Sequence, residues 1–203
     1  MRVAIVAEHA SARFGGEAAL PLHYFRVLQR RGVPVWLITH ARTRDELSAL
    51  YPRNDRIVYV PDTRLHKILW RMSRLLPDSI SYFTTGYLSR LSTQWAQRRI
   101  VRRLVAEHAI TVVHQPMPVS PREPSALFGF GVPVVIGPMN GGMDYPPAFR
   151  RQRGFVERLL LRLGRSSAAL MNLLLPGKRQ SALLLVANSR TRQALPAGAS
   201  LPS

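Results

Sequence analysis

The sequence predicts a three-layer α/β/α domain of Rossmann-like type, built on a parallel sheet. Two observations carry this. Six short apolar runs, rich in Val, Ile and Leu, recur along 203 residues, and segments of helical periodicity lie between most of them. Several of these runs also end in a polar or glycine-rich loop before a helix pattern begins. That is how α/β sheets build ligand crevices at their strand ends.

The first run, Arg2 to Ala7, is short, continuous and β-branched, as a buried parallel strand should be. A helix is expected from Glu17 to Arg31. Ala18, Leu22, Phe25 and Leu28 line one face, Pro21 sits near the first turn and Gly32 stops it. Residues 33–39 form the second strand, 43–50 a short helix and 56–60 a third strand ended by Pro61. This β-α-β-α-β run implies right-handed crossovers. From Arg64 to Leu76 an amphipathic helix sets Leu65, Ile68, Leu69, Met72 and Leu76 against Arg64, Lys67, Arg71 and Arg74. The apolar stripe is expected to pack on the domain. A longer helix runs from Gly86 to His108, with arginines near its end that suit the helix dipole.

The later strands are expected at 111–114, 132–136 and 183–187. Ser120-Pro121-Arg122-Glu123 reads as a capping box that starts a helix. Residues 155–175 read as helical, and Asn188-Ser189 starts a short helix that ends at Pro196. No repeat or interior linker appears. One domain is therefore expected over 1–196, with an unstructured tail over 197–203.

Composition narrows the function. With no cysteine, disulfides and thiolate metal sites are excluded, and the six histidines show no paired ligand spacing. No metal and no cofactor are expected. The net charge of +18 comes almost entirely from arginine, since Lys67 and Lys178 are the only lysines. Such a balance suits an anionic partner or an arginine-rich genome. Residues 155–175 are broken by Arg158, Arg162 and Arg165, whereas a spanning helix needs about 20 apolar residues. A cytoplasmic chain is expected, with the arginine face at 64–74, aided by Arg158 and Arg162, resting on an anionic membrane surface.

Three loops are candidate site elements. Gly15 and Gly16, with Glu17, follow the first strand and let the backbone approach a ligand. They do not form G-x-G-x-x-G, so the dinucleotide fingerprint is absent. His114, with Gln115-Pro116, stands at a strand end, where an imidazole could move a proton or simply be a hydrogen-bonded structural group. Asn140, Gly141 and Gly142 form a permissive loop after the fifth strand.

Together these residues resemble the amino-terminal domain of family 4 glycosyltransferases, which have the GT-B architecture. Phe14-Gly15-Gly16-Glu17 with Leu20-Pro21 is similar to that family's first loop. Val112 to Pro116 is similar to its histidine turn, Ile136 to Gly142 to its next loop, and Val186-Ala187-Asn188-Ser189 to the strand and turn closing the lobe. The resemblance implies a retaining transfer from a nucleotide sugar to a cell-envelope saccharide or lipid-linked acceptor. It implies His114 at the reaction centre, and Gly15, Gly16, Glu17, Asn140, Gly141, Gly142 and Ser189 about the substrates. No glutamate pair has the family's Glu-x7-Glu spacing. The implied donor domain is therefore expected to be absent, with nucleotide-sugar binding weak or lost and a separate carboxy-terminal lobe as the partner. Two other readings stand beside this one: a catalytically inactive half-enzyme acting as a binding module, and a basic nucleic-acid-binding α/β protein. The latter lacks aromatics interleaved with its basic runs.

Overall fold

The computed structural model describes residues 1–77, 80–81, 84–141 and 167–199. Strands β1 (Val3–Val6), β2 (Val35–His40), β3 (Ile57–Val60), β4 (Val112–Gln115), β5 (Val134–Met139) and β6 (Leu183–Val186) form one sheet. Its order is β3-β2-β1-β4-β5-β6, and every pairing is parallel. The fold class and all six expected strands appear, with ends moved by a few residues. The order reverses between β1 and β4, which is where an open parallel sheet leaves a crevice.

Alternation within the strands builds two cores. Val3 and Ile5 of β1, with Val35 and Leu37 of β2, face one side. There they pack on Leu22 and Phe25 of helix α1 (Gly16–Arg30) and on Leu47 of α2 (Arg44–Leu50). Ala4, Val6, Trp36 and Ile38 face the other side, against Val101 and Leu104 of the long helix α4 (Thr85–His108). Phe25 is fully enclosed, and burying such a side chain stabilises the fold by about 2–3 kcal/mol. A short 3-10 turn, Ala41–Thr43, leads into α2.

Two helical expectations need correction. No helix follows Ser120; residues 116–133 form an irregular crossing from β4 to β5. The physical reason is Pro124. In a helix capped by Ser120 its N–H would be the donor for the Ser120 carbonyl, and proline has none. That carbonyl accepts from Lys178 Nζ at 3.2 Å instead. Helix α3 (Arg64–Ser73) forms where expected and ends earlier, but of its apolar stripe only Leu69 is buried on the domain. Only His66 and Leu69 are buried, against α4, while Leu65, Ile68 and Met72 are exposed. Thr63 and His66 cap the helix start reciprocally, which turns His66 inward to Thr93 at 3.1 Å and fixes this rotation.

Of the expected helix at 155–175, residues 167–174 are helical and the rest lies outside the described residues. The last helix, α5, spans Ser189–Gln193 and is capped by Asn188, whose side chain accepts from Thr191 N at 2.9 Å. Within the expected tail, Ala199 packs against the α4-side core. No described helix is long and apolar enough to cross a membrane.

Candidate functional site

Two adjoining cavities open at the carboxyl ends of β1, β4 and β5, and Glu17 borders both. The first, of about 190 Å³, lies at the switch point between β1 and β4. Its walls come from three directions. Glu8 stands two residues past β1, Glu17 lies in the first turn of α1, and β4 ends in Gln115 and leads into Met117 and Pro118. Helix α4 supplies Arg90, Gln94 and Gln97, and the crossing loop supplies Glu123.

Hydrogen bonds hold these walls in place. Arg90 Nε donates to Glu123 Oε1 at 2.6 Å, with both side chains largely shielded. Gln97 Nε2 donates to the Ala7 carbonyl at 2.8 Å, tying α4 to the end of β1. Gln94 Oε1 accepts from Ala126 N at 2.8 Å, and Gln115 Oε1 accepts from Ser125 Oγ at 2.6 Å. Charge is uneven here. Three carboxylates face one guanidinium, in a chain that carries only 11 acidic residues against 29 basic ones. Burial pushes the Glu8 carboxyl above its ordinary range, although Arg90 pulls the other way.

The second cavity, of about 490 Å³, is lined by Gly16, Glu17, Leu20, Val119, Pro138, Asn140, Gly141 and Ala187. A Cβ built on Gly15, Gly16 or Gly141 would meet nothing within 4 Å, so these glycines border open space. Gly15 has φ 95°, a conformation that favours glycine, and it sets the entry into α1. Pro21 has no N–H to give the Glu17 carbonyl one turn back, which leaves this end of α1 open in its bonding. The β1–α1 loop is nonetheless fixed. Ser11 Oγ bonds to Glu46 of α2, and Ala12 N donates to the same carboxylate at 2.7 Å.

The structure brings Gly16, Glu17, Asn140 and Gly141 together at this second cavity, with Gly15 immediately before it. Ser189 is exposed at the start of α5, beside Asn188, whose Nδ2 reaches Asn140 Oδ1 at 3.4 Å. Gly142, Arg158 and Arg162 lie outside the described residues. His114 lines neither cavity. Its Nε2 lies 2.8 Å from the Gly137 carbonyl and its ring meets Tyr24 edge-on at 4.7 Å. Burial lowers its pKa. Arg64, Lys67, Arg71 and Arg74 are exposed along α3, away from both cavities.

Sequence reading missed Arg90, Gln94 and Gln97, and gave Glu8 and Glu123 no site role. One signal existed. The buried stripe of α4 reads Gln94, Gln97, Arg98, Val101, Leu104, so it is polar at the crevice end and apolar beyond. Polar residues on the inward face of a helix are expected only where they find partners.

A further polar group stands at β2. Ligand atoms of His40, Asp62 and His66 lie within 4.8 Å of one another, but the bonding does not suit a cation. His66 uses both ring nitrogens, on Thr63 and Thr93. His40 Nδ1 accepts from Arg42 N at 3.3 Å, which leaves the ring proton on Nε2, facing Asp62. Arg42 approaches the same carboxylate at 3.4 Å.

Comparison with known proteins yields no matching family model and no matching curated protein. Among solved structures the chain is similar to a short-chain dehydrogenase from Streptomyces avermitilis. The two share 13% identity over 96% of this chain and 90% of that one, with a TM-score of 0.43. The family 4 glycosyltransferase expectation is corrected: no family model of that kind and no curated protein of that kind matches the chain. Its sugar-transfer function and transferase class go with it, and neither rival reading gains support. The motifs that suggested the family are glycine and turn residues at strand ends. Any parallel sheet needs such residues there, so they report the sheet and not the chemistry.

Proposed function

We propose that this chain is a small-molecule-binding α/β domain, and that its ligand carries an amine and further hydrogen-bond donors. The observation that carries the reading is the switch-point cavity, where Glu8, Glu17 and Glu123 converge with a single arginine. Side-chain carboxylates only accept hydrogen bonds when ionised, so this wall selects donors. The adjoining cavity, mostly apolar and bordered by Gly16 and Gly141, takes the body of the same molecule. Calorimetric titration with putrescine, inositol and succinate as probes tests the class. Putrescine should bind best and succinate not at all, and Glu8→Gln should weaken putrescine about tenfold, as expected for loss of a charge-assisted bond. Preference for succinate, or an unchanged affinity in Glu8→Gln, would overturn the proposal.

A second reading concerns attachment to an anionic membrane surface. It is favoured by the exposure of Leu65, Ile68, Met72 and Leu75 on one side of the α3 segment, beside Arg64, Lys67, Arg71 and Arg74. An interfacial helix has this division of faces. Each basic residue near such a surface contributes about 1 kcal/mol, and salt screens it. Cosedimentation with anionic vesicles should fall with added salt, with the four cations changed to glutamine, and with Ile68→Glu. Equal binding to neutral vesicles, or no loss in the glutamine variant, would remove this reading.

A further inference from the structure

A third cavity lies between the helical residues 167–174 and the segment after α5, with Arg122 of the crossing loop in its wall. It measures about 490 Å³. Ala168, Ala169, Leu170 and Leu173 form one wall, and Leu195 and Pro196 form the other. None of its described lining residues belongs to the two switch-point cavities, and none is acidic.

Arg122, Asn172 and Arg179 also line this groove, and the last two each carry a buried polar atom without a partner. Asn172 is 5% exposed. Its amide nitrogen donates to the Arg122 carbonyl at 2.7 Å and to the Ala168 carbonyl at 2.8 Å, which fixes the orientation of the amide. Its Oδ1 is buried and has no donor. Arg179 donates from Nη2 to the Leu173 carbonyl at 2.5 Å, while its Nε is buried without an acceptor. Its stem lies against Gly198, where a built Cβ would meet Cδ at 3.5 Å. A native interior seldom leaves such groups unmet without a reason, because each one costs about 1–3 kcal/mol.

The geometry points to a binding site for an apolar acid that carries a hydroxyl or amide N–H beside its carboxylate. The carboxylate accepts from Arg179 Nε, the adjacent donor satisfies Asn172 Oδ1, and the hydrocarbon lies between the alanine-leucine wall and Leu195. A plain fatty acid meets only half of this requirement. Its ionised head has no donor for Asn172. A neutral diol has donors but leaves the arginine charge unanswered.

The test compares 2-hydroxyoctanoate, octanoate and 1,2-octanediol by calorimetry on the full chain. The 2-hydroxy acid should bind about tenfold or more tightly than either relative, the discrimination expected when a buried polar group is left unpaired. Ala169→Trp fills the groove from an exposed helix position and should abolish binding with the circular dichroism unchanged. Arg179→Met should reduce the preference for the acid over the diol. Equal affinity for all three probes, no binding at millimolar concentration, or full binding in the folded Ala169→Trp variant would each overturn the inference.

Discussion

Lys178 is one of two lysines in a chain otherwise basic through arginine, and it is 2% exposed. Its Nζ donates to the Pro121 carbonyl at 2.6 Å and to that of Ser120 at 3.2 Å, bracing the crossing loop that carries Glu123. Burial lowers its pKa to about 7, and Glu123 opposes the shift. A neutral amine still offers two N–H groups, so both bonds survive deprotonation. The sign for stability follows. Between about pH 7 and 10.5 the unfolded chain holds a proton at Lys178 that the folded chain has released. Stability should therefore rise with pH across that window, by at most about 5 kcal/mol from this group. Urea unfolding at neutral and alkaline pH, compared with Lys178→Met, isolates the effect. A rise of equal size in the variant would assign it elsewhere. No sequence pattern marks Lys178, because its burial depends on a loop 57 residues away.

At the scale of elements, strands were legible and the connections that build the site were only partly so. Short β-branched runs identify themselves by length and composition, and β1 to β6 all lie where those runs are. The crossing from β4 to β5 was misread because Ser120-Pro121-Arg122-Glu123 satisfies the capping pattern locally, whereas Pro124 forbids the first helical bond. Glu123 consequently turns to Arg90 and becomes part of the crevice. Helix α3 was found but its rotation was not, since the Thr63–His66 cap and the His66–Thr93 contact are tertiary facts. One further close approach can be tested. A Cβ on Gly177 would run into the Ser125 carbonyl, so the segment before β6 can lie against the crossing loop only with glycine there. Gly177→Ala should destabilise by about 2 kcal/mol or more, as overpacking does. It should also loosen the crevice through Ser125 and Gln115. Thermal unfolding would measure the first effect, and an unchanged midpoint would show that the loop yields freely.

For the whole molecule, sheet order decides where chemistry can occur. The β3-β2-β1-β4-β5-β6 order gathers the loops after β1, β4 and β5 at one reversal point. This is why Gly16, Glu17, Asn140 and Gly141, far apart in sequence, meet there. Sequence reading expected Gly15, Gly16, His114 and Asn140 in one crevice, whereas His114 lines neither cavity. Overall charge pointed to anions, while the cavity itself concentrates carboxylates.

A two-dimensional nitrogen-proton spectrum of the full chain during titration with putrescine tests directly whether the switch-point cavity binds an amine. Gln94, Gln97 and Gln115 have side-chain amides in the wall of the switch-point cavity, and each reports occupancy directly. Saturable shifts of these three amides together are expected, with a midpoint about tenfold higher in Glu8→Gln and no shifts with succinate. Saturable shifts confined to residues outside the cavity, with these amides unmoved, would contradict amine binding there.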